Sequence, residues 1–139
     1  MKKILLVDDE EKFVQMVKLN LEKTGQYQVK TETKGAEALA AAKAFKPNLI
    51  IMDILMPDMD GCNAATQIKN EESLKNIPIL FLTATATKKD KEIFGGLVDG
   101  RPFIAKPLLA KPVNTKDLIK AIEEQTAKPA SPASQTPTG

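Results

Sequence analysis

The sequence contains no histidine and a single cysteine, and these two absences remove most familiar catalytic chemistry. Without histidine there is no Ser-His or Cys-His nucleophile pair, no imidazole metal site, and no residue that could itself donate a phosphoryl group from phosphohistidine. Cys62 has no second thiol within the chain to pair with and no histidine to complete a zinc site, so it is expected to be a small apolar filler. Long apolar runs are missing as well, which excludes a bilayer-spanning helix. Only four apolar residues separate Lys3 from Asp8, too few for the core of a secretory signal, so a cytoplasmic location is expected. The net charge is +2 with basic and acidic residues interleaved, which leaves no electrostatic footprint for nucleic acid. The seven glycines form no dinucleotide fingerprint. Whatever chemistry the chain performs must use carboxylates, lysine and hydroxyls.

What is present reads as one α/β domain. At 139 residues, 42% hydrophobic and 27% charged, the chain is long and apolar enough to bury a single core. Three short apolar runs, at residues 4–7, 49–52 and 79–82, are continuous rather than alternating. Continuity predicts strands buried on both faces, as in a parallel sheet covered by helices. Between the runs lies helical periodicity, with Phe13, Val17 and Leu21 four residues apart and an alanine-rich segment over 36–45. Tyr27, Val29 and Thr31 alternate with polar residues and predict a half-exposed edge strand. Residues 103–105 offer a weaker fifth strand. A last helix is predicted over about 114–125, with Asn114 as its N-cap and Asp117 in its first turn. Five strands alternating with five helices make a doubly wound parallel sheet, in which ligands sit beyond the carboxyl ends of the strands. Residues 127–139, AKPASPASQTPTG, cannot bury enough surface to fold and are expected to be a flexible tail after a domain at 1–126.

The strand ends carry the chemistry. The first apolar run ends in Asp8, Asp9 and Glu10, the second in Asp53 and the third in Thr83. Carboxylates gathered on one edge repel unless a cation compensates, and an all-oxygen set with few protein ligands suits Mg²⁺. Taken singly, each of these acids would pass for a solvated loop residue or a helix cap, and Glu10 is expected to be one.

Val7-Asp8-Asp9-Glu10, the stretch from Met52-Asp53 through Met56-Pro57 to Asp60-Gly61, Thr83-Ala84 and a following Lys-Pro pair resemble the signature of response-regulator receiver domains, the chemotaxis-regulator-like family of two-component signalling. The resemblance covers residues 1 to about 126. It implies a flavodoxin-like fold with strand order 2-1-3-4-5. It implies a phosphoacceptor domain rather than an enzyme, one that assists its own phosphorylation and dephosphorylation. Asp53 would receive the phosphoryl group from a histidine kinase or a histidine phosphotransfer protein. Asp9 would bind Mg²⁺ directly, Asp8 through water, and Asp53 with the backbone carbonyl of Leu55 would complete the protein ligands. Thr83, 30 residues after Asp53, matches the hydroxyl that turns toward the phosphoryl group, and Phe103 the aromatic ring that changes exposure on activation.

Two lysines, Lys106 and Lys111, both precede proline and compete for the phosphate-binding place. Lys106 is favoured because it stands 23 residues after Thr83, which suits the family. With Lys111 in that role, Leu108 would replace Phe103 as the switch position. The expected output surface combines residues 88–97, the Phe103 strand and the last helix, serving a downstream protein or a phosphorylation-dependent homodimer, without direct nucleic-acid or membrane binding. Rival readings are a haloacid-dehalogenase-type phosphatase using Asp58 and Asp60, a flavin-binding flavodoxin-like protein, and a non-phosphorylated interaction domain of the same fold. Asp58 does not stand at the strand end where the phosphatase motif begins, and three acids in the first loop would repel a flavin phosphate.

Overall fold

The structure, a computed structural model, describes residues 1–54, 56, 61–83, 94–98, 101–104, 108–111 and 113–127. In chain order the elements are β1 (Lys2–Val7), α1 (Glu11–Glu22), β2 (Tyr27–Glu32), a 3₁₀ turn (Gly35–Glu37), α2 (Ala38–Phe45), β3 (Leu49–Asp53), α3 (Gly61–Lys69), β4 (Ile79–Thr83), β5 (Phe94–Val98), β6 (Arg101–Ile104), β7 (Leu108–Ala110) and α4 (Thr115–Ala127). The order β2-β1-β3-β4-β7 builds a five-stranded sheet, and every neighbouring pair in it is parallel.

The continuous apolar runs follow from burial on both faces. Leu5, Val7, Ile50, Met52 and Phe81 point to one side, against Ala41 and Ala42 of α2 and Ala64 and Ile68 of α3. Ile4, Leu6, Ile51, Leu80 and Leu82 point to the other, against Val14, Val17 and Leu21 of α1 and Leu118 and Ile122 of α4. Successive side chains of one strand therefore enter different cores, and a polar residue in any of these positions would be buried on whichever face it met. Tyr27 and Val29 of the edge strand β2 are buried beneath α1 and α4, as the alternation predicted.

Helix α4 begins as its sequence indicated: the Asp117 amide donates to Asn114 Oδ1 at 2.7 Å, and Asn114 Nδ2 returns a bond to Asp117 Oδ2 at 3.0 Å. It runs on through Ala127, one residue past the expected domain boundary at 126. Among the described residues no helix is long and apolar enough to cross a membrane.

Two expectations about the last third of the chain are corrected. Four α-helices, not five, occur among the described residues, and of the expected output surface at 88–97, residues 94–97 lie in β5 while 88–93 lie outside the described residues. β5 pairs antiparallel with β6, with Phe103 opposite Gly96, in a two-stranded sheet separate from the main one. Phe103 therefore does not stand in the parallel sheet. The fifth parallel strand is β7, whose Leu108, Leu109 and Ala110 lie opposite Phe81, Leu82 and Thr83.

The first and last elements are joined where Lys2 Nζ donates to Glu123 Oε1 at 2.8 Å and the Tyr27 hydroxyl donates to Glu123 Oε2. Burial, followed by the adjacent Glu123 carboxylate, pushes the Tyr27 phenol up to about 12, while Lys2 and Tyr27 together hold Glu123 below the usual carboxylate range. A raised phenol favours the folded state while the phenol is neutral. That contribution is present below about pH 10 and is lost as pH rises toward 12. Tyr27 is the only tyrosine in the chain, so the ultraviolet titration of its phenolate reads this one group. The midpoint is expected well above that of free tyrosine, and Glu123→Gln should lower it.

Candidate functional site

The carboxyl ends of β1 and β3 lie side by side because Val7 is in register with Met52. The next residues, Asp8 and Asp53, are consequently neighbours. Ladder bonds run on past both ends: the Asp8 amide donates to Glu32 O at 3.0 Å and the Ile54 amide to Leu82 O at 2.9 Å, which fixes the backbone from which each carboxylate projects. Asp8 and Asp53 are buried and Asp9 is exposed. Carboxylate oxygens of the three all lie within 4.8 Å of one another.

Among the described residues the cation facing this cluster is Lys111, the residue after β7. Its Nζ stands 2.6 Å from Asp8 Oδ2, 2.6 Å from Glu10 Oε1 and 3.7 Å from Asp53 Oδ2, and 4.6 Å from the centre of the Phe13 ring. This corrects the preference for Lys106. The strand beside β4 begins five residues later than residue 103, so the following lysine, Lys111, reaches the acids. Lys106 itself lies outside the described residues, as do Leu55, Asp58 and Asp60. Thr83 ends β4, opposite Ala110, which puts its backbone on the same edge as Asp53 and Lys111.

Electrostatics follow from burial. Loss of solvent raises the Asp8 carboxyl above its ordinary value, against the opposing pull of Lys111 and of the Glu10 amide, which donates to Asp8 Oδ1 at 2.9 Å. For Lys111, burial is the largest single influence and acts downward. The summed attraction of Asp8, Glu10 and Asp53 outweighs it and leaves the ammonium above its usual value.

The donor set fits a hard divalent cation. Asp8 Oδ2 is buried against Lys111 Nζ at 2.6 Å, and among the described residues it has no other polar partner. An oxygen in that condition, beside two further carboxylates within 4.8 Å, has coordination capacity that the protein leaves unfilled. The Lys111 ammonium alone cannot neutralise Asp8, Asp9, Glu10 and Asp53 together.

Three residues that shape the site carried no local signal. Glu10 occupies the N-cap position of α1 but makes no side-chain capping bond, and its carboxylate takes Lys111 instead. Phe13 supplies the ring under the same ammonium. Gly61 opens α3, and its amide donates to Ile54 O at 2.8 Å. A Cβ there would lie 2.0 Å from the backbone oxygen of Asp53 and 2.9 Å from Ile54 Cα. Both obstacles are backbone, so nothing can swing aside. Gly61→Ala is therefore expected to displace the Asp53 segment and to destabilise the protein by about 2 kcal/mol or more, against the gain in helix propensity that Ala would bring elsewhere. Chemical denaturation measures it, and an unchanged midpoint would show that the α3 start is free to move.

Residues 4–123 match the family model of the response regulator receiver domain. The alkaline phosphatase synthesis transcriptional regulatory protein PhoP of Bacillus subtilis is 38% identical over 132 residues, covering 94% of this chain and 52% of its own length. The chain thus spans about half of that relative. Protein PilH of Pseudomonas aeruginosa is 33% identical over 122 residues, which cover 88% of this chain and 95% of PilH. Among solved structures, the receiver domain of the sensor histidine kinase PA1611 of Pseudomonas aeruginosa, with magnesium coordinated in its active-site cleft, superposes with a TM-score of 0.76 at 26% identity, covering 91% of this chain and 98% of that one.

Proposed function

Since the chain belongs to the response regulator receiver family, we propose that its Asp53 accepts a phosphoryl group from a phosphohistidine donor, a histidine kinase or a histidine phosphotransfer protein, with Mg²⁺ as cofactor. The observation that carries this is the buried convergence of Asp8 and Asp53 with Asp9 and Lys111 on one sheet edge, the carboxylate oxygens lying within 4.8 Å of one another. Asp8, Asp9, Asp53 and the Leu55 carbonyl would hold the ion. When bound, Mg²⁺ supplies positive charge to the oxygens of the transferred group.

The chain's own residues do the rest. Asp53 projects from a β-strand end, so its carboxylate is presented rather than searched for, which is the positioning that in-line transfer requires. Lys111 takes the place first given to Lys106: its ammonium is 3.7 Å from Asp53 Oδ2, close enough to meet added phosphoryl oxygens by a small movement. Thr83, at the end of the neighbouring strand, would offer its hydroxyl to the same group. With β7 as the fifth strand, Leu108 holds the switch position in place of Phe103.

The domain occupies residues 1–126 or slightly more, the proline-rich remainder serves as a tail, and the protein acts in the cytoplasm. Its output is a change in affinity for a downstream protein or a second copy. Incubation of the whole chain with acetyl phosphate and Mg²⁺ tests the reading: a mass gain of one phosphoryl group is expected and should depend on the metal. A chain that stays unmodified would instead be a receiver-like interaction domain.

A further inference from the structure

The Lys111 ammonium is shared equally between two carboxylates of different character. Asp8 is buried among the residues proposed to hold Mg²⁺, whereas Glu10 is 61% exposed on the outer lip of the cleft, and both are 2.6 Å from Nζ. Phe13, three residues after Glu10 and in the first turn of α1, places its ring 4.6 Å from the same nitrogen. A divalent cation held by Asp8, Asp9 and Asp53 and an ammonium in contact with Asp8 would repel each other strongly at such separations. Asp8 Oδ1 already accepts from the Glu10 amide, so the two cations compete for Asp8 Oδ2.

We propose that Glu10 is a positioning residue for this exchange, the carboxylate on which Lys111 stays paired, over the Phe13 ring, when a divalent cation takes Asp8. The inference rests on the metal site proposed above. Entry of the cation then breaks one of the two short ion pairs of Lys111 and keeps the other. The ammonium also remains at the cleft, within a small movement of Asp53, instead of being expelled into water. Without the Glu10 contact, Asp8 and Asp53 are the carboxylates left to Lys111 among the described residues, and it competes with the metal for both.

Calorimetric titration of the whole chain with Mg²⁺ tests this on four variants. Glu10→Gln should weaken Mg²⁺ binding by about two- to fivefold, the range expected for one solvent-facing ion pair. Lys111→Met should tighten binding, and in that background Glu10→Gln should change little. Equal weakening in both backgrounds would mean that Glu10 acts only through its charge, and would overturn the proposal. Glu10→Asp gives a second criterion that does not require the Lys111 variant to fold. It keeps the charge but withdraws it from Nζ by one methylene, so weakening is expected, and wild-type affinity would overturn the exchange. A wild-type chain that binds no Mg²⁺ would overturn the metal reading and the exchange with it, which separates that failure from the failure of Glu10 alone.

Discussion

Asp53→Asn is expected to abolish phosphorylation by acetyl phosphate while leaving the protein folded. The substitution preserves the shape of a side chain that is only 3% exposed, so packing around the ends of β3 and β4 should survive. It removes the nucleophilic oxygen, for which a neutral amide is no substitute. Stability should hardly fall, because Asp53 is one of several carboxylates gathered around Lys111, and deleting one negative charge relieves repulsion as much as it loses attraction to Lys111 at 3.7 Å. Mass spectrometry of wild type and variant after identical incubation measures the first claim, and chemical denaturation the second. Full modification of the Asp53→Asn variant at another residue would remove Asp53 from its proposed role.

The sheet and its helices were legible because their determinants are local. Each of the first three strand runs announces two-sided burial by its unbroken apolarity, and Asn114 with Asp117 marks the start of α4 within three residues of sequence. The acids of the site were legible for a related reason: a short, strongly apolar strand tells the reader where it ends, and Asp8 and Asp53 stand at the ends.

The fifth strand was misplaced because the information that places it is not local. Residues 104–107 and 109–112 read IAKP and LAKP, two segments with nearly the same apolar character and the same lysine and proline. Strand propensity cannot choose between them. The choice is made by pairing with residues 81–83 and by an ammonium that must reach acids 103 and 58 positions away in the chain. Nor could sequence position reveal Glu10. A glutamate just before a helix looks like any solvated N-terminal acid, and its partner lies 101 residues further on. Gly61 likewise looks like a turn residue, whereas its necessity comes from the Asp53 carbonyl it lies against.

Lys111→Ala should be the most damaging single change at the site, and its cost should depend on pH in a definite direction. The side chain is 10% exposed and is the cation facing buried Asp8, so its removal leaves an uncompensated carboxylate in a desolvated position, a loss of about 3 kcal/mol at neutral pH. Burial already raises Asp8 above its unfolded value of 3.8, which means that its contribution to stability is present below that value and is lost as pH rises through the folded-state titration. Taking away Lys111 removes a downward influence on Asp8 and carries that titration to higher pH. The variant should therefore approach wild-type stability under acidic conditions, where Asp8 is protonated, and fall progressively behind toward neutrality. Lys111 itself titrates above its usual value, so the wild-type protein should hold this advantage until the pH exceeds about 10.5. Mg²⁺ should restore stability to Lys111→Ala more than to wild type, since it supplies the missing charge. Phosphorylated Lys111→Ala should fail to transmit the modification to the Thr83 edge, because the Lys111 ammonium no longer draws the phosphoryl oxygens toward β7. Lys106→Ala is expected to change stability by less than about 0.5 kcal/mol. Denaturation curves of both variants at acidic and neutral pH measure the contrast, and a pH-independent loss, or a larger loss for Lys106→Ala, would refute the assignment of Lys111 as the counter-ion of the cleft.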